Sequence, residues 1–533
     1  MPPRTLAELV FVRQGTDSEV PSLTFVEIAA DGSLATEQRS FAQLWQRGQA
    51  LAAWMTGRGV TRGDRLAIMM NNHPEFVDAM VAAAMIGAVW VPIDPRTRGE
   101  KLAYMLDFAG CSGIVAADYC AEALAAVVSD CPCLRWSLLV GEAPDCAKAL
   151  PDCAMVGTLA APVSPVKPVE LAPTDPMFMM FTSGTTGNPK AVVQSHGEWI
   201  TYAMNSPFEM RPGDKLFTGL SLTHINAQST LRIGLGNGIP VVISRKFSKS
   251  RLWDIVRAFG CTVFSLLGGM IPEVFAVPEK PGDADNPVRL ITTSGMPVEL
   301  WEAYRRRFGV EICEAYGTTE GIGGLFNPPG IGPVGSIGRP SPAIEAGVFD
   351  EAGNPCPPGV PGELRFRPVG REARPVTYWR NEEAGRAKLR DGWLLTGDIV
   401  HRDENGWFFF HHRVGGGVRR NGDFLNTAMV EAAIIRSGLV DDVFVYGVQT
   451  ARNTSGEKTL VAAVVPDPAR PFSESALIEW CRAQLERNDV PEIVQVLEAI
   501  PKTASQKPIE RDAMALLRES GLVAAFERSK AAT

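Results

Sequence analysis

The sequence predicts an α/β protein: a large N-terminal part of layered α/β subdomains, joined by a hinge to a small, mobile α+β C-terminal domain. Short β-rich runs alternate with amphipathic helical runs along most of the chain, the signature of strands layered against helices. A complete strand–helix–strand unit stands between Val288 and Gly317. Near residue 413 a basic, glycine-rich segment interrupts the pattern, and a compact strand–strand–helix pattern follows it. The 533 residues also exceed what one core ordinarily organises, so two or more domains are expected.

The elements follow in chain order. The longest apolar stretch, Ala79 to Ile93, spans 15 residues and contains Gly87 and Pro92. A membrane span needs about 20 residues, so this stretch reads as a buried helix running into a strand. Ala161 to Pro176 carries five prolines and reads as an irregular connector. Met177 to Phe181 is an apolar strand. In the later unit, VRLITTSG (Val288 to Gly295) is a strand, and Pro297 suits a first helical position. Leu300, Trp301, Tyr304 and Phe308 then share one helical face, which Gly309 can end in a left-handed conformation. VEICEAYG (Val310 to Gly317) is the next strand and runs straight into polar residues, the place where open α/β sheets bind ligands. Pro328 to Pro342 reads as loop. The three adjacent glycines Gly415 to Gly417 suit a hinge. Beyond them Val443 to Val448 and Leu460 to Val465 read as strands, and a helix carries Leu477, Ile478, Cys481 and Leu485 on one face. The expected division is 1–412 for the N-terminal domain and 413–533 for the C-terminal one.

Hydrophobic residues at 45% and charged residues at 21% exclude a disordered chain, a coiled-coil rod and a collagen-like fibre. The net charge of -8 argues against broad binding to a phosphate backbone, so no nucleic-acid partner is expected. No stretch reads as a membrane span. The opening MPPRTLAELV lacks a charged, then apolar, then small-residue pattern, which points to a cytoplasmic chain. Ten scattered cysteines and six histidines show no zinc-ligand spacing, so reduced, mostly buried thiols are expected.

The strongest local signal is MFMMFTSGTTGNPKAVVQSH, Met177 to His196. A strand runs into Thr182, Ser183, Gly184, Thr185, Thr186 and Gly187, an unbroken run of hydroxyl residues and glycines, and Lys190 follows. Glycines let the backbone approach a ligand closely, while hydroxyls and amide N–H groups donate to phosphate oxygens. No Gly-Lys-Ser/Thr triplet is present, so this is not a Walker A loop.

This loop resembles the signature of the adenylate-forming (AMP-binding) superfamily, which includes acyl-CoA synthetases, peptide-synthetase adenylation domains and luciferases. Four further segments match in family order: EAYGTTEG (Glu314 to Gly321), DGWLLTGDIV (Asp391 to Val400), HRVGGGVRRNGDFLN (His412 to Asn426) and PKTASQKPIER (Pro501 to Arg511). The segments Arg245 to Met270, Asp283 to Val310 and VRRNGD (Val418 to Asp423) look closest to the crotonobetaine/carnitine-type branch of acyl-CoA ligases.

The resemblance implies an ATP-dependent acid–CoA ligase. A carboxylic acid is adenylated with release of pyrophosphate, and the acyl group then passes to the CoA thiol. ATP, Mg²⁺ and coenzyme A are the implied cofactors, and a small carboxylic acid is the implied substrate. It assigns Thr182 to Lys190 to the triphosphate, Glu320 to Mg²⁺, Tyr316 to adenine, Thr319 to the α-phosphate and Asp398 to the ribose hydroxyls. Glu314 and Gly317 flank the adenine position. Arg413 assists from the domain boundary, Lys507 bridges carboxylate and phosphate, and the segment near Gly422 meets the pantetheine thiol after the small domain turns. His224 matches a gate between acid and thiol pockets, while His196 reads as structural. His224, Asn226, Ser294, Gly295, Met296, Thr318 and Ile322 are expected to line the acyl pocket. No arginine or lysine lies among them, and Arg232 stands nearby with its direction open.

Two departures stand out. Gly415 and Gly416 replace a charged hinge pair, and Gln506 replaces a glycine before the terminal lysine. Neither removes a catalytic group. The alternatives are an enzyme that loads a separate carrier protein, a luciferase-like oxygenase and a non-catalytic adenylate-binding protein. The oligomeric state, including a homodimer, is left open.

Overall fold

The apolar run from Ala79 to Ile93 divides as the sequence predicts. Helix Pro74–Ile86 is buried along nearly its whole length. It ends at Gly87, whose φ of 71° is a left-handed value that glycine adopts without strain. The fully buried strand Val89–Pro92 follows. This strand belongs to a seven-stranded sheet with the spatial order Cys153–Met155, Trp136–Val140, Cys111–Ala117, Arg65–Met69, Val89–Pro92, Pro176–Thr182, Lys190–Ser195. All neighbours are parallel except the last pair, which forms a hairpin around the glycine-rich loop.

In the computed structural model, residues 2–16, 20–159, 164–182, 189–267, 270–275, 277–413, 418–420, 423–425, 427–451, 453, 457–501, 508 and 510–529 are described. A second, nine-stranded sheet has six central parallel strands: Glu311–Gly317, Leu290–Ser294, Val263–Leu267, Leu216–Thr218, Val241–Ser244 and Pro21–Ile28. Antiparallel strands close both of its edges.

The two sheets share one core. Helices Phe41–Thr56, Pro74–Ile86, His196–Met204 and Ile225–Asn237 contribute to a single cluster with Trp90 and Phe178 from one sheet and Phe25 and Val263 from the other. Because both faces of each sheet are covered, its strands are near-continuous apolar runs rather than alternating ones. Helix Val298–Phe308 packs Trp301, Tyr304 and Phe308 on the outer face of the nine-stranded sheet. Pro297 caps this helix in an extended conformation instead of occupying its first turn, because the chain leaves the strand end at Gly295 still extended. Gly309 ends the helix at φ 67°, as expected. Pro328 to Pro342 is loop except for the two-residue edge strand Arg339–Pro340.

A five-stranded antiparallel sheet, with the long strand Trp393–Arg402 at its centre, completes the N-terminal domain. The smaller C-terminal domain holds the hairpin Val418–Arg420/Asp423–Leu425 and a sheet of Val440–Val448, Thr459–Pro466 and Ile493–Val496. Helices Thr427–Arg436 and Glu474–Gln484 give it a core of its own, with Val430, Ile434, Leu477 and Cys481 buried. All ten cysteines are free. Among the described residues no helix is long and apolar enough to cross a membrane.

Candidate active site

Parallel strands of both sheets end at one deep cleft of about 3000 Å³. The carboxyl ends of Pro176–Thr182, Leu290–Ser294 and Glu311–Gly317 open into it, as does the start of helix Ile225–Asn237. Such a crevice beyond strand ends is the ligand site expected of open α/β sheets. The small domain forms another wall with Arg419, Arg420, Leu425 and Lys458.

Thr182 and Lys190 face each other across the base of the glycine-rich loop. The Thr182 hydroxyl donates to the Lys190 carbonyl at 3.4 Å. Lys190 Nζ lies 5.4 Å from the centre of the Tyr378 ring, within cation–π range. Ser183, Gly184, Thr185, Thr186 and Gly187 fall outside the described residues, as do Gly415, Gly416, Gly422 and Lys507 and the side chain of Arg413.

Tyr316, Gly317, Thr318, Thr319 and Glu320 all line the cleft. The Tyr316 hydroxyl donates to Asp398 Oδ2 at 2.5 Å. Asp398 is 4% exposed and sits on the inner face of its strand, where the alternation of Trp393–Arg402 directs it. Gln194 Nε2 donates to the Thr319 carbonyl at 2.8 Å, and the Tyr378 hydroxyl donates to Glu320 Oε1 at 2.9 Å. Gly321 turns the chain at φ 66° immediately after Glu320.

Glu314 behaves differently from its neighbours. Its carboxylate accepts from the Thr293 hydroxyl at 2.5 Å and from the backbone N–H groups of Gly295 at 2.5 Å and Met296 at 3.2 Å. Burial pushes its pKa up, against these bonds and the field of Arg419. Glu314 therefore fixes the turn at the neighbouring strand end.

His224 stands at the start of helix Ile225–Asn237, with Nε2 3.7 Å from Asp94 Oδ2. Burial opposes ionisation of Asp94, but hydrogen bonds from Arg96 and His224 outweigh it and hold its carboxyl well below the usual range. Asn226, Ser294, Gly295, Thr318 and Ile322 line the cleft together with His224. Met296 does not join them: it is 7% exposed and packs with Trp301 and Tyr304 on the outer side of the sheet. Asn226 Oδ1 and Thr318 Oγ1 are buried in the cleft wall without a hydrogen-bond partner among the described residues, unusual for buried polar atoms. His196 is fully buried, and burial pushes its imidazole down to about 4, which suits a structural role.

Three side chains in this constellation escape sequence reasoning, Tyr378, Gln194 and Asp94, while Arg232, whose direction the sequence leaves open, also lines the cleft. Gln194 lies within the loop-and-strand signature, but nothing in the chain signals its contact with Thr319. Among the described residues, no group of three or more His, Cys, Asp or Glu side chains could hold a metal. Mg²⁺ commonly uses one or two carboxylates together with substrate phosphates. Glu320 suits that role, since its Oε2 has no partner among the described residues.

Residues 22–370 match the AMP-binding enzyme family, and residues 429–507 match the AMP-binding enzyme C-terminal domain. The chain belongs to the AMP-binding enzyme family. It is an adenylate-forming enzyme of the acyl-CoA ligase type. This AMP-binding enzyme is 27% identical to the crotonobetaine/carnitine–CoA ligase of Salmonella typhi over 483 residues, covering 89% of this chain and 93% of that relative. Its fold is similar to that of a double-mutant o-succinylbenzoate CoA synthetase from Bacillus subtilis bound with its product analogue OSB-NCoA. There the TM-score is 0.78 at 22% identity, covering 94% of this chain and 97% of that one. For the same synthetase in complex with the acyl-adenylate intermediate OSB-AMP the TM-score is 0.64, again at 22% identity, covering 94% and 96%.

Proposed function

We propose that this AMP-binding enzyme joins a small carboxylic acid to coenzyme A in two steps, activating the acid with ATP and releasing pyrophosphate. The observation that carries this reading is the convergence of Lys190, Tyr316, Thr319, Glu320 and Asp398 on one cleft. Adenylation brings a carboxylate to a phosphate that already carries negative charge, so positioning and charge neutralisation supply most of the catalysis. Lys190 and the loop from Thr182 would face the triphosphate. Thr319 would donate to the α-phosphate, Tyr316 would stack on adenine and Asp398 would accept from the ribose hydroxyls. Glu320 would hold Mg²⁺, which supplies neutralisation of phosphate charge when bound. Lys507 would bridge the acid and the phosphate in the first step, and His224 would separate the acyl and thiol pockets.

Residues 1–412 would bind ATP and acid, and residues 413–533 would turn about Gly415 between the steps. The small domain presents its Val418–Leu425 hairpin to the cleft, with Arg419 and Arg420 among the lining residues. The closer overlay on the product-analogue complex than on the adenylate complex of the same synthetase supports an arrangement suited to the thiol-transfer step.

The test is a panel of short, branched, aromatic, betaine-type and dicarboxylic acids, each with and without CoA. Acid-dependent pyrophosphate release with matching acyl-CoA, abolished by Lys507→Ala, is expected. Release without a CoA thioester would move the acceptor to a carrier protein. ATP binding with no acid-dependent turnover would replace the ligase reading with the adenylate-binding one.

A further inference from the structure

Helix Ile225–Asn237 presents Ile225, Asn226, Ser229, Arg232 and Ile233 to the cleft, positions that share one helical face. Arg232 lies more than two turns beyond His224 and is 5% exposed. Its Nη2 donates to the Ser229 hydroxyl at 3.1 Å, and its Cζ stands 3.7 Å from the centre of the Tyr202 ring. Its Nε is buried with no hydrogen-bond partner among the described residues. Tyr202, Phe208, Met210 and Met270 line the same cleft.

Among the described residues the other two buried arginines each have a carboxylate. Arg39 is paired with Asp78 at 3.1 Å, and Arg365 with Glu363 at 3.0 Å. No described carboxylate lies within ion-pair distance of Arg232. Burial pushes its pKa down to about 10, so it is still a cation at neutral pH. A buried guanidinium without a counter-charge is costly, and its planar fork suits a carboxylate in two-point contact.

We propose that Arg232 is a specificity-determining residue that receives a second carboxylate at the far end of the acyl substrate, so that the acid activated here is a dicarboxylic acid. The proposal rests on the ligase reading above and names its substrate class. The guanidinium reaches back to Ser229, five residues beyond His224. At a rise of roughly 1.5 Å per residue, that puts the distal charge about 8 Å along the helix axis from its start, a separation suited to a short diacid.

The experiment compares each diacid with the monoacid of equal carbon number and with the diacid's monomethyl ester, in the full-length protein and in Arg232→Met and Arg232→Lys. The wild type is expected to favour the diacid at least tenfold in kcat/KM. R232M is expected to lose at least 100-fold on the diacid, mostly in KM, with the monoacid unchanged or improved. R232K, which keeps the charge without the fork, is expected to fall between them. In parallel, calorimetric titration of each acid into protein saturated with ATP analogue reads binding without turnover. Absence of a diacid preference in the wild type, or its persistence in R232M, overturns the proposal. Tighter diacid binding that depends on Arg232, with no pyrophosphate release for any acid, would sink the ligase reading and leave the Arg232 site standing.

Discussion

The Tyr316 hydroxyl donates to the Asp398 carboxylate at 2.5 Å, tying the end of a strand in the nine-stranded sheet to the long strand of the five-stranded sheet. Both residues line the cleft, so one hydrogen bond sets the aromatic face and the acidic acceptor at a fixed spacing.

Tyr316→Phe keeps the ring and removes that donor. Asp398 is buried, so losing a hydrogen bond to its charged carboxylate should cost about 1–3 kcal/mol. The expected result is a lower melting temperature and a KM for ATP raised about tenfold, with kcat for pyrophosphate release changed much less. An unchanged KM for ATP would remove the orienting role from this pair.

Glu320 and Tyr378 make the second prediction. The tyrosine hydroxyl holds one carboxylate oxygen of this cleft-lining residue at 2.9 Å. Glu320→Gln preserves shape and deletes the charge. Its Mg²⁺ titration of activity should shift at least tenfold to higher concentration, a loss of about 1.4 kcal/mol or more. Tyr378→Phe should shift it by only a few-fold, because the charge stays and only its orientation loosens. Equal shifts in the two variants would argue that Glu320 acts through the tyrosine and not on the metal.

The sequence makes the strands and the cleft motifs legible because their signals are local. An apolar strand ending in hydroxyls and glycines marks a ligand-facing strand end, and Thr182, Tyr316, Thr319 and Glu320 lie in one cleft as their motifs imply. Contacts made across the topology are not legible in this way. Tyr378 meets Glu320 from 58 residues away, and no pattern around it announces the contact. Met296 shares a segment with Ser294 and Gly295, yet the turn into the next helix carries its side chain to the outer face. Glu314 sits in the nucleotide motif and on the same face of its strand as Tyr316, but Thr293 and two amides already bind its carboxylate. Arg232 is an ordinary helical arginine in the sequence, and only the packing around it reveals the missing counter-charge.

Asp214 gives a pH prediction. It accepts from Arg289 Nη2 at 2.5 Å, the Arg211 amide at 2.6 Å and the Thr262 hydroxyl at 2.7 Å. Burial disfavours its charge, but these bonds prevail and lower its pKa to about 2. The folded carboxyl therefore ionises more readily than the unfolded one, whose pKa is about 3.9. Its stabilisation is fully present above the unfolded value and is lost as pH falls through about 2, amounting to about 2 kcal/mol at neutral pH. Urea midpoints of the wild type should fall steeply across that acid window. Asp214→Asn should be less stable near neutrality and flatter below about pH 4, and parallel acid limbs for the two proteins would refute the assignment.

Among the described residues three ion pairs join the domains in this arrangement: Lys101 Nζ lies 3.0 Å from Glu486 Oε1 and 4.0 Å from Asp489 Oδ2, and Arg436 Nη1 lies 3.0 Å from Glu100 Oε2. Partly exposed pairs are each worth about 0.2–1 kcal/mol, so together they bias the domain equilibrium by about 1 kcal/mol, roughly fivefold. If this arrangement serves thiol transfer, Lys101→Glu should slow acyl-CoA formation a few-fold. Acid-dependent pyrophosphate release measured without CoA should stay within about twofold, since on the proposed alternation adenylation would use the other orientation. Adding Glu486→Lys should restore the rate, because the swapped pair attracts as the native one does. Raised ionic strength should erase the difference between single and double variants through screening. Equal slowing of both half-reactions by Lys101→Glu would mean that the pair holds the small domain's fold and not its orientation.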